Sequence, residues 1–274
     1  MKVSEYVGYV NQMALPGESP SRGKPGLSLG RKMAMKVLDE LQEVAGDALT
    51  LLELSPQQKL FYDSTVDQIV ALGANRAGKS LAAAAKLAEI LVGRDHTGRF
   101  PEHGGIGIAV GYGWRHLGNV IHRKLFRWGE FLIIKDADTN LWRAYRPWQD
   151  SEREEEARPA PPLIPTRFAP TNKHWAWLAR KQNIFSRVDL TSDWTLHAYA
   201  SVGDPKQCQG FAANVAQIDE DIAHEEWLAE LYARLHDKDG QLLWSALPHQ
   251  ECEALERLVA IGDAQVDQPK PDVK

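Results

Sequence analysis

The stretch GANRAGKS, residues 73–80, decides how the rest of this chain is interpreted. It matches the pattern G-x-x-x-x-G-K-[ST], follows an apolar stretch at residues 68–72 and precedes an alanine-rich run at residues 81–90. Glycine is needed at Gly73 and Gly78 because main-chain N–H groups must curl around phosphate oxygens at a distance that a side chain would block. Strand, loop and helix in this order predict a phosphate-binding loop.

The side chains of this loop have distinct predicted roles. Lys79 is expected to reach the β- and γ-phosphates of ATP, and Ser80 to offer its hydroxyl to Mg²⁺. The helix that follows turns its positive N-terminal end toward the bound anion. Arg76 could contact the γ-phosphate as a catalytic cation, with an ion pair to an acid of residues 219–221 as the alternative. The predicted nucleotide-binding residues of the loop are Gly73, Ala74, Asn75, Arg76, Ala77, Gly78, Lys79, Ser80 and Leu81.

A second motif, Asp219-Glu220-Asp221, follows the short apolar stretch at residues 214–218. Hydrolysis needs a polarised water and a metal held from a second strand, which a phosphate-binding loop alone does not supply. We therefore predict that Asp219 binds a Mg²⁺ water and that Glu220 orients or deprotonates the attacking water. Asp221 is interpreted as an acid at the N-terminus of the next helix. Together the two motifs predict an enzyme, a Mg²⁺-dependent ATPase.

Composition limits the remaining possibilities. The formal charge of -5 argues against a protein that coats nucleic acid by bulk electrostatics, so any contact with DNA must be local. Cys208 and Cys252 lack the spacing of a zinc site, which favours a reducing cytosol. We find neither an apolar run long enough to cross a bilayer nor the apolar region of a signal peptide, and we predict no membrane association.

Apolar patterning predicts strands that alternate with helices around the two motifs. A turn at residues 191–193 separates two strands that we expect to form a hairpin. The predicted strands are residues 68–72, 105–110, 184–190, 194–199, 214–218 and 241–247, and the predicted helices include residues 81–90, 114–128 and 251–260.

We divide the chain into three parts. Residues 1–50 are predicted to form an N-terminal arm with a helix at 32–45, residues 51–250 the ATPase domain, and residues 251–274 a C-terminal helix and polar tail. Within the domain, residues 136–165 contain the acidic run SEREEEAR and the proline-rich piece PAPPLIP. We expect this segment to be a solvated surface insertion.

The predicted helix at 114–128 has a local basic face, because no carboxylate occurs between its start and Glu130. This face is our candidate for contact with DNA or with a neighbouring subunit, and a solvated face that balances acids elsewhere is the alternative. Its basic residues are Arg115, His116, His122, Arg123, Lys124 and Arg127, of which Arg115, Arg123, Lys124 and Arg127 are the candidate contacts.

Four segments resemble the ATPase domain of the large terminase subunit of tailed bacteriophages, the motor that packages DNA. The segment LSPQQKLFYDS resembles the adenine side of that family, which implies that Gln57 or Gln58 reads the base edge. GANRAGKS resembles the family's phosphate-binding loop, which often includes an arginine. DPKQCQGFAANVAQIDED resembles the stretch in which a pair such as Gln209-Gly210 precedes the acidic strand, and LLWSALPH resembles the coupling motif, here Ser245 and Pro248.

The resemblance implies a fold and a set of partners. The fold is α/β, a P-loop NTPase of the additional-strand (ASCE, RecA-like) type, with a mainly parallel sheet flanked by helices and an N-terminal helical arm. Ser245 would sense the γ-phosphate, with a hydroxyl bonded to backbone as the alternative. The implied partners are double-stranded DNA, the prohead portal and the small terminase subunit, in a homo-oligomeric ring in the host bacterial cytoplasm; the chain in isolation could be a monomer.

Ring motors of this kind resemble other ring ATPases, which use an arginine from the next subunit to neutralise charge in the transition state. The sequence does not choose among five candidate donors, which are Arg115, Arg123, Arg127, Arg180 and Arg187.

The chain departs from the family in its C-terminal part. Full-length large terminases continue into a nuclease domain, whereas the acids after Ser245 lie in a polar tail without an apolar strand to fix them. We therefore predict no nuclease activity for this polypeptide, which is either part of a longer protein or a natural ATPase-only subunit. The possible start of a linker lies at residues 251–274.

The sequence therefore predicts an ATP-hydrolysing motor that translocates double-stranded DNA into a prohead. Two alternatives remain. The first is a helicase or recombination-type DNA-dependent ATPase, which would require a second RecA-like lobe. The second is a nucleotide-binding assembly module that turns over weakly.

Overall fold

A computed structural model describes residues 47–74, 76–247 and 252–266 of the chain. The predicted arm, including the helix at 32–45, lies outside these residues apart from its last few positions. Within the described ranges, none of the helices is both long and apolar enough to cross a bilayer.

Ten strands and eight α-helices form this part of the molecule, with a π-helical turn at Leu117–Ile121. The strands are β1 (Gln68–Leu72), β2 (Gly105–Gly111), β3 (Leu132–Lys135), β4 (Trp142–Ala144), β5 (Arg158–Pro159), β6 (Trp175–Ala179), β7 (Ile184–Asp189), β8 (Trp194–Ala200), β9 (Val215–Asp219) and β10 (Gln241–Ala246). The helices are α1 (Ala48–Leu51), α2 (Pro56–Tyr62), α3 (Lys79–Leu91), α4 (Trp114–His116), α5 (His122–Phe126), α6 (Pro147–Asp150), α7 (Glu226–His236) and α8 (Glu253–Val266).

The main sheet has seven strands in the order β1-β10-β9-β2-β8-β7-β6. The five strands from β1 to β8 are parallel, and β7 and β6 are added antiparallel at one edge. Every residue of β9 and β10 is buried, as expected for central parallel strands that are covered on both faces. The predicted mainly parallel sheet and the β7–β8 hairpin are confirmed.

Strand β10 lies between β1 and β9, although it is the last strand in the sequence. In this register, Ala71 of β1 is opposite Ser245, and Ser245 is opposite Asp219. The carboxyl ends of these three parallel strands therefore meet at one edge of the sheet. The phosphate-binding loop and the acidic motif are separated by a single strand.

Helices cover both faces of the sheet. Four consecutive buried alanines, residues 82–85, let α3 approach one face closely, beside Leu117 and Leu125. On the other face, α7 buries Trp227, Leu231 and Leu235 against the strands, and α8 packs there as well. The apolar side of α7 is thus a core face.

Residues 136–165 do not form a simple solvated insertion, so that expectation is wrong for part of the segment. Strand β3 pairs with β4 and β5 in a small antiparallel sheet. Ala160, Leu163 and Ile164 of the proline-rich piece are almost completely buried. They are buried because this piece returns to the core after the acidic run, most of whose residues are exposed.

The helical segment after β2 is irregular. The π-helical turn separates α4 from α5, and the helix ends at Phe126, two residues before the predicted end. A Cβ atom at Gly118 would lie 2.4 Å from the carbonyl oxygen of Gln182, so glycine lets this turn pack closely on the loop before β7.

His122 of α5 is buried rather than part of a basic face. Its ring lies among the rings of Phe126, Trp175, Trp177 and Phe185, and its Nδ1 atom has no hydrogen-bond partner in the part of the chain that the structure describes. Burial, reinforced by the charge of Arg127, lowers the pKa of His122 to about 4. The core therefore accepts this side chain as neutral imidazole.

Burial of His122 predicts loss of stability in mild acid. An exposed histidine titrates near pH 6.5, so between about pH 6.5 and about pH 4 the unfolded chain binds a proton that the folded chain does not. The contribution of His122 is therefore fully present above the unfolded pKa and falls as the pH decreases, by on the order of 3 kcal/mol. Urea unfolding of the parent and of His122→Phe across this pH range measures the difference. Parallel pH dependences for the two proteins would contradict the assignment.

Candidate nucleotide-binding site

The phosphate-binding loop connects the end of β1 to the start of α3. Gly78 is the N-cap of α3 and has φ +81°, a left-handed conformation that strongly favours glycine. A Cβ atom at this position would lie 2.0 Å from Nε2 of Gln58. The backbone conformation therefore favours glycine at this position, and a side chain here would also displace the amide of Gln58.

Lys79 has its ammonium group on the inner side of this loop. Its Nζ atom donates hydrogen bonds to the carbonyl oxygens of Gly73 and Ala74, at 2.7 and 3.0 Å. The first main-chain N–H groups of a helix lack partners within the helix, and α3 presents them beside the same loop. A cation and free N–H donors at one place fit a phosphate group.

Gln58 connects α2 to the loop. Its side chain forms a reciprocal capping box with Ser55, and its Nε2 atom donates to the carbonyl oxygen of Gly78 at 3.2 Å. The buried Lys86 of α3 holds α2 in place by donating to the carbonyl oxygens of Tyr62 and Ser64. The role of Gln58 as a reader of the adenine edge stays a prediction.

A cleft of about 600 Å³ lies between α2, β1 and the loop. Gln57 and Gln58 line it on one side and Ala77 and Lys79 on the other, with the apolar residues of β1 between them. This cleft is where an adenine ring would be expected if the loop binds the phosphates. The exposed Gln57 is the second candidate for contact with the base.

Asp219 is the most constrained residue of the site, with only 1% of its surface exposed. Its Oδ1 atom accepts the Ser245 hydroxyl at 2.6 Å, its Oδ2 atom lies 2.9 Å from His116 Nε2, and Ser80 also hydrogen-bonds to it. Burial raises the pKa of this carboxyl, but the three hydrogen bonds outweigh burial and hold the pKa below its usual value. Asp219 is therefore an ionised carboxylate at neutral pH.

The pair formed by Ser80 and Asp219 fits Mg²⁺. A hydroxyl and an ionised carboxylate are oxygen ligands, which a hard divalent cation prefers. The direct hydrogen bond between them brings the loop and the end of β9 into contact. These two residues were predicted to serve the metal, and the fold brings them together.

Glu220 follows in an uncommon backbone conformation. Its φ of +67° is left-handed, which costs a residue other than glycine on the order of 1–3 kcal/mol unless its surroundings fix it. Its N–H group donates to the carbonyl oxygen of Ser245 at 2.7 Å. Ser245 thus contacts both acids, one through its hydroxyl and one through its main chain. The expected alternative for Ser245, a hydroxyl bonded to backbone, is replaced by a bond to a carboxylate.

The chain has the fold of an additional-strand P-loop NTPase. The strand β10 between the phosphate-binding strand and the acidic strand decides this, and it confirms the predicted fold class.

Two solved structures are similar in fold to this chain. A mutant of the large terminase ATPase domain of Thermus phage P74-26 aligns with a TM-score of 0.44 and 16% identity, over 80% of this chain and 72% of that one. The large terminase of a thermophilic bacteriophage aligns with a TM-score of 0.45 and 12% identity, over 80% of this chain and 48% of that one. This chain thus spans about half the length of the second protein. No protein-family model matches the chain, and no curated protein sequence matches it either.

Three further residues of the predicted phosphate-binding loop fall within the described part of the chain. Arg76 is exposed and has φ +65°, and Ala77 is exposed beside it. Leu81 packs against the core from the first turn of α3. Asn75 lies outside the described residues. The contacts of these residues with a nucleotide stay predictions.

The basic face predicted after β2 is smaller than the sequence indicated. His116 contacts Asp219 and His122 is buried, so neither belongs to it. Arg123 and Lys124 both pair with Glu130, because the chain after α5 returns this acid to the helix. Arg115 and Arg127 are exposed. Contact of any of these residues with DNA or with a neighbouring subunit stays a prediction.

Two interpretations of individual residues change. Asp221 is not at a helix N-terminus, because α7 begins at Glu226, and its Oδ1 atom instead accepts the N–H of Ile222. His116 was assigned to a surface face but belongs to the site. Its position just after β2, a strand that neighbours β9, is the signal that could have indicated this.

Replacing His116 tests this assignment. We expect His116→Ala to reduce the free energy of unfolding at pH 7 by about 1.5–3 kcal/mol, because a hydrogen bond to a buried charge is lost. The variant should also need more Mg²⁺ to bind a fluorescent ATP analogue. His103→Ala, which changes an exposed histidine, is the matched control. Equal urea midpoints and equal Mg²⁺ requirements for the two variants would exclude a role for His116 at the site.

Proposed function

We propose that this chain is the ATP-hydrolysing motor domain of a viral DNA-packaging terminase large subunit, which translocates double-stranded DNA into a prohead. The observation that carries the proposal is the strand order β1-β10-β9, which gathers the phosphate-binding loop, Ser245 and the acidic pair at one sheet edge. The four terminase-like sequence segments fall on the elements that build this edge. No nuclease activity is proposed for this polypeptide.

In the proposed hydrolysis, five residues have separate roles. Lys79 and the N–H groups at the start of α3 bind the β- and γ-phosphates, and Arg76 contacts the γ-phosphate from the same loop. Ser80 and Asp219 hold Mg²⁺, which supplies neutralisation of phosphate charge when bound. Glu220 orients the attacking water and accepts its proton, so that the water oxygen can attack the γ-phosphorus while the bond from phosphorus to the bridging oxygen breaks and ADP leaves.

Ser245 is the proposed coupling residue. Its hydroxyl donates to the carboxylate proposed to serve the metal, and its carbonyl accepts from the main chain of the proposed base. A change at either acid when the γ-phosphate leaves would therefore shift the end of β10. The chain that follows β10 would receive this movement as a mechanical signal.

DNA contact is proposed at a basic cleft on the same sheet edge. The cleft has a volume of about 390 Å³, and Arg115 and Lys181 supply its cations. Both residues are exposed, and no ion pair of either is found among the described residues. The lining contains no carboxylate; its members are Arg115, Asn119, Lys181, Gln182, Asn183 and Ile184. Such a surface suits a phosphodiester backbone.

The assembly is proposed by analogy with the family. The partners are the prohead portal, the small terminase subunit and further copies of this chain in a ring, in the host bacterial cytoplasm. A neighbouring subunit would donate the transition-state arginine. Arg123 and Arg187 are ion-paired, so Arg115, Arg127 and Arg180 are the donors we favour.

The assignment of the base is tested by two substitutions. Glu220→Gln should still bind Mg-ATP but lose at least about 100-fold in hydrolysis, whereas Lys79→Ala should lose affinity as well. Glu226→Gln, which changes an exposed acid at the start of α7, is the control and should leave turnover unchanged. Comparable turnover by Glu220→Gln and the parent protein would overturn the assignment. Measuring the parent with DNA and empty proheads distinguishes packaging, which needs both, from a helicase-like activity stimulated by DNA alone.

The proposed DNA surface is tested by charge removal. Arg115→Ala and Lys181→Ala should each weaken binding of a labelled duplex by a similar factor whatever its sequence. Each should also reduce, by about 1, the magnitude of the slope of log K against log salt concentration. Hydrolysis without DNA should be unaffected by Lys181→Ala. Lys238→Ala removes an exposed lysine between α7 and β10, at the opposite sheet edge, and should change nothing. Fluorescence anisotropy at several salt concentrations measures the effect, and equal slopes for all variants would rule out this cleft.

A further inference from the structure

The left-handed backbone of Glu220 is held from both sides by β10. On one side, its N–H group donates to the carbonyl oxygen of Ser245. On the other side, its carbonyl oxygen accepts a hydrogen bond of 2.7 Å from the indole Nε1 of Trp244. Two consecutive residues of one buried strand therefore fix the peptide groups before and after Glu220.

Trp244 is fully buried in the core between the sheet and the helices α7 and α8. A buried tryptophan can contribute to packing alone, so we compare the hydrogen bonds of Trp244 with those of two other buried tryptophans. Trp194 is also fully buried, yet its Nε1 atom has no hydrogen-bond partner among the described residues. Trp227 is buried and donates to the carbonyl oxygens of Ser201 and Gly203 rather than to Glu220. An indole N–H on Glu220 is thus not a general consequence of burying tryptophan in this protein.

We propose that Trp244 is a positioning residue, whose indole N–H holds Glu220 in its left-handed conformation and thereby aims its carboxylate at the attacking water. This inference rests on the proposed function. Without the indole N–H, one side of the Glu220 peptide is released, and the residue can relax toward the negative φ that non-glycine residues prefer. The Cα–Cβ direction of Glu220 then rotates with the backbone, which displaces the carboxylate.

Trp244 does not lie on the nucleotide side of the site and contributes no ligand to it in this proposal. Its loss should therefore change the rate of hydrolysis and leave nucleotide affinity nearly unchanged. A displacement of about 1 Å of a catalytic group reduces the rate by on the order of 10- to 100-fold. A residue that acts only through general stability would instead reduce the fraction of folded protein, which affects binding and turnover together.

The test combines Trp244→Phe with two reference variants. Trp244→Phe keeps an aromatic ring in the core and removes the N–H donor. Trp227→Phe makes the same change at a buried indole whose N–H donates to Ser201 and Gly203. We expect a 10- to 100-fold lower kcat for Trp244→Phe, with KM and the Kd of a non-hydrolysable ATP analogue within about twofold of the parent. Trp227→Phe should retain the parental kcat. Thermal unfolding of both variants provides a measure of stability that is independent of activity.

A double-mutant cycle with Glu220→Gln decides whether Trp244 acts through Glu220. If it does, adding Trp244→Phe to Glu220→Gln should not reduce the residual single-turnover rate further. Equal loss of rate in both backgrounds, a parental kcat for Trp244→Phe, or an equal loss for Trp227→Phe would each overturn the inference. Failure of the proposed function looks different, because Glu220→Gln would then hydrolyse ATP as well as the parent.

Discussion

The buried carboxylate of Asp219 is the constraint on which the site depends. An ionised group without partners in a protein interior is strongly unfavourable, so it must be surrounded by donors. Here the donors come from three separate elements, since Ser80 lies in the first turn of α3, His116 ends α4 and Ser245 lies on β10. Satisfying one charge therefore fixes the phosphate-binding loop, the segment after β2 and the additional strand relative to one another.

Strand β10 contacts both acids of the site, so its end could move when the bound nucleotide changes. It is buried throughout, and it contacts Asp219 through the Ser245 hydroxyl and Glu220 through both a carbonyl oxygen and the Trp244 indole. The unusual φ of Glu220 persists because these neighbours determine it. Because this strand contacts both acids, a change at either acid would be transmitted to it, and this is the physical basis on which we propose that hydrolysis is coupled to movement.

Much of the fold could be predicted from local patterns. The phosphate-binding loop, the helix α3, the acidic strand and the β7–β8 hairpin all follow from short-range apolar periodicity and turn residues. The segment at 136–165 could not be predicted in this way. Its acidic run indicated that the segment is exposed to solvent, whereas Leu163 and Ile164 pack in a core formed by residues distant in sequence. His116 was misplaced for a similar reason, since a histidine among basic residues gives no local sign that a carboxylate 103 residues away will accept its hydrogen bond.

The sequence by itself determined which chemistry we propose for this protein, because a phosphate-binding loop needs particular residues at fixed spacing, and those residues are contiguous in the chain. Only the tertiary structure decided how that chemistry is held. The order of strands brings Ser245 beside Asp219, and the indole of Trp244 meets the Glu220 carbonyl. These contacts join segments far apart in sequence, and they are selected by the need to bury apolar strands while satisfying every charge and peptide group among them.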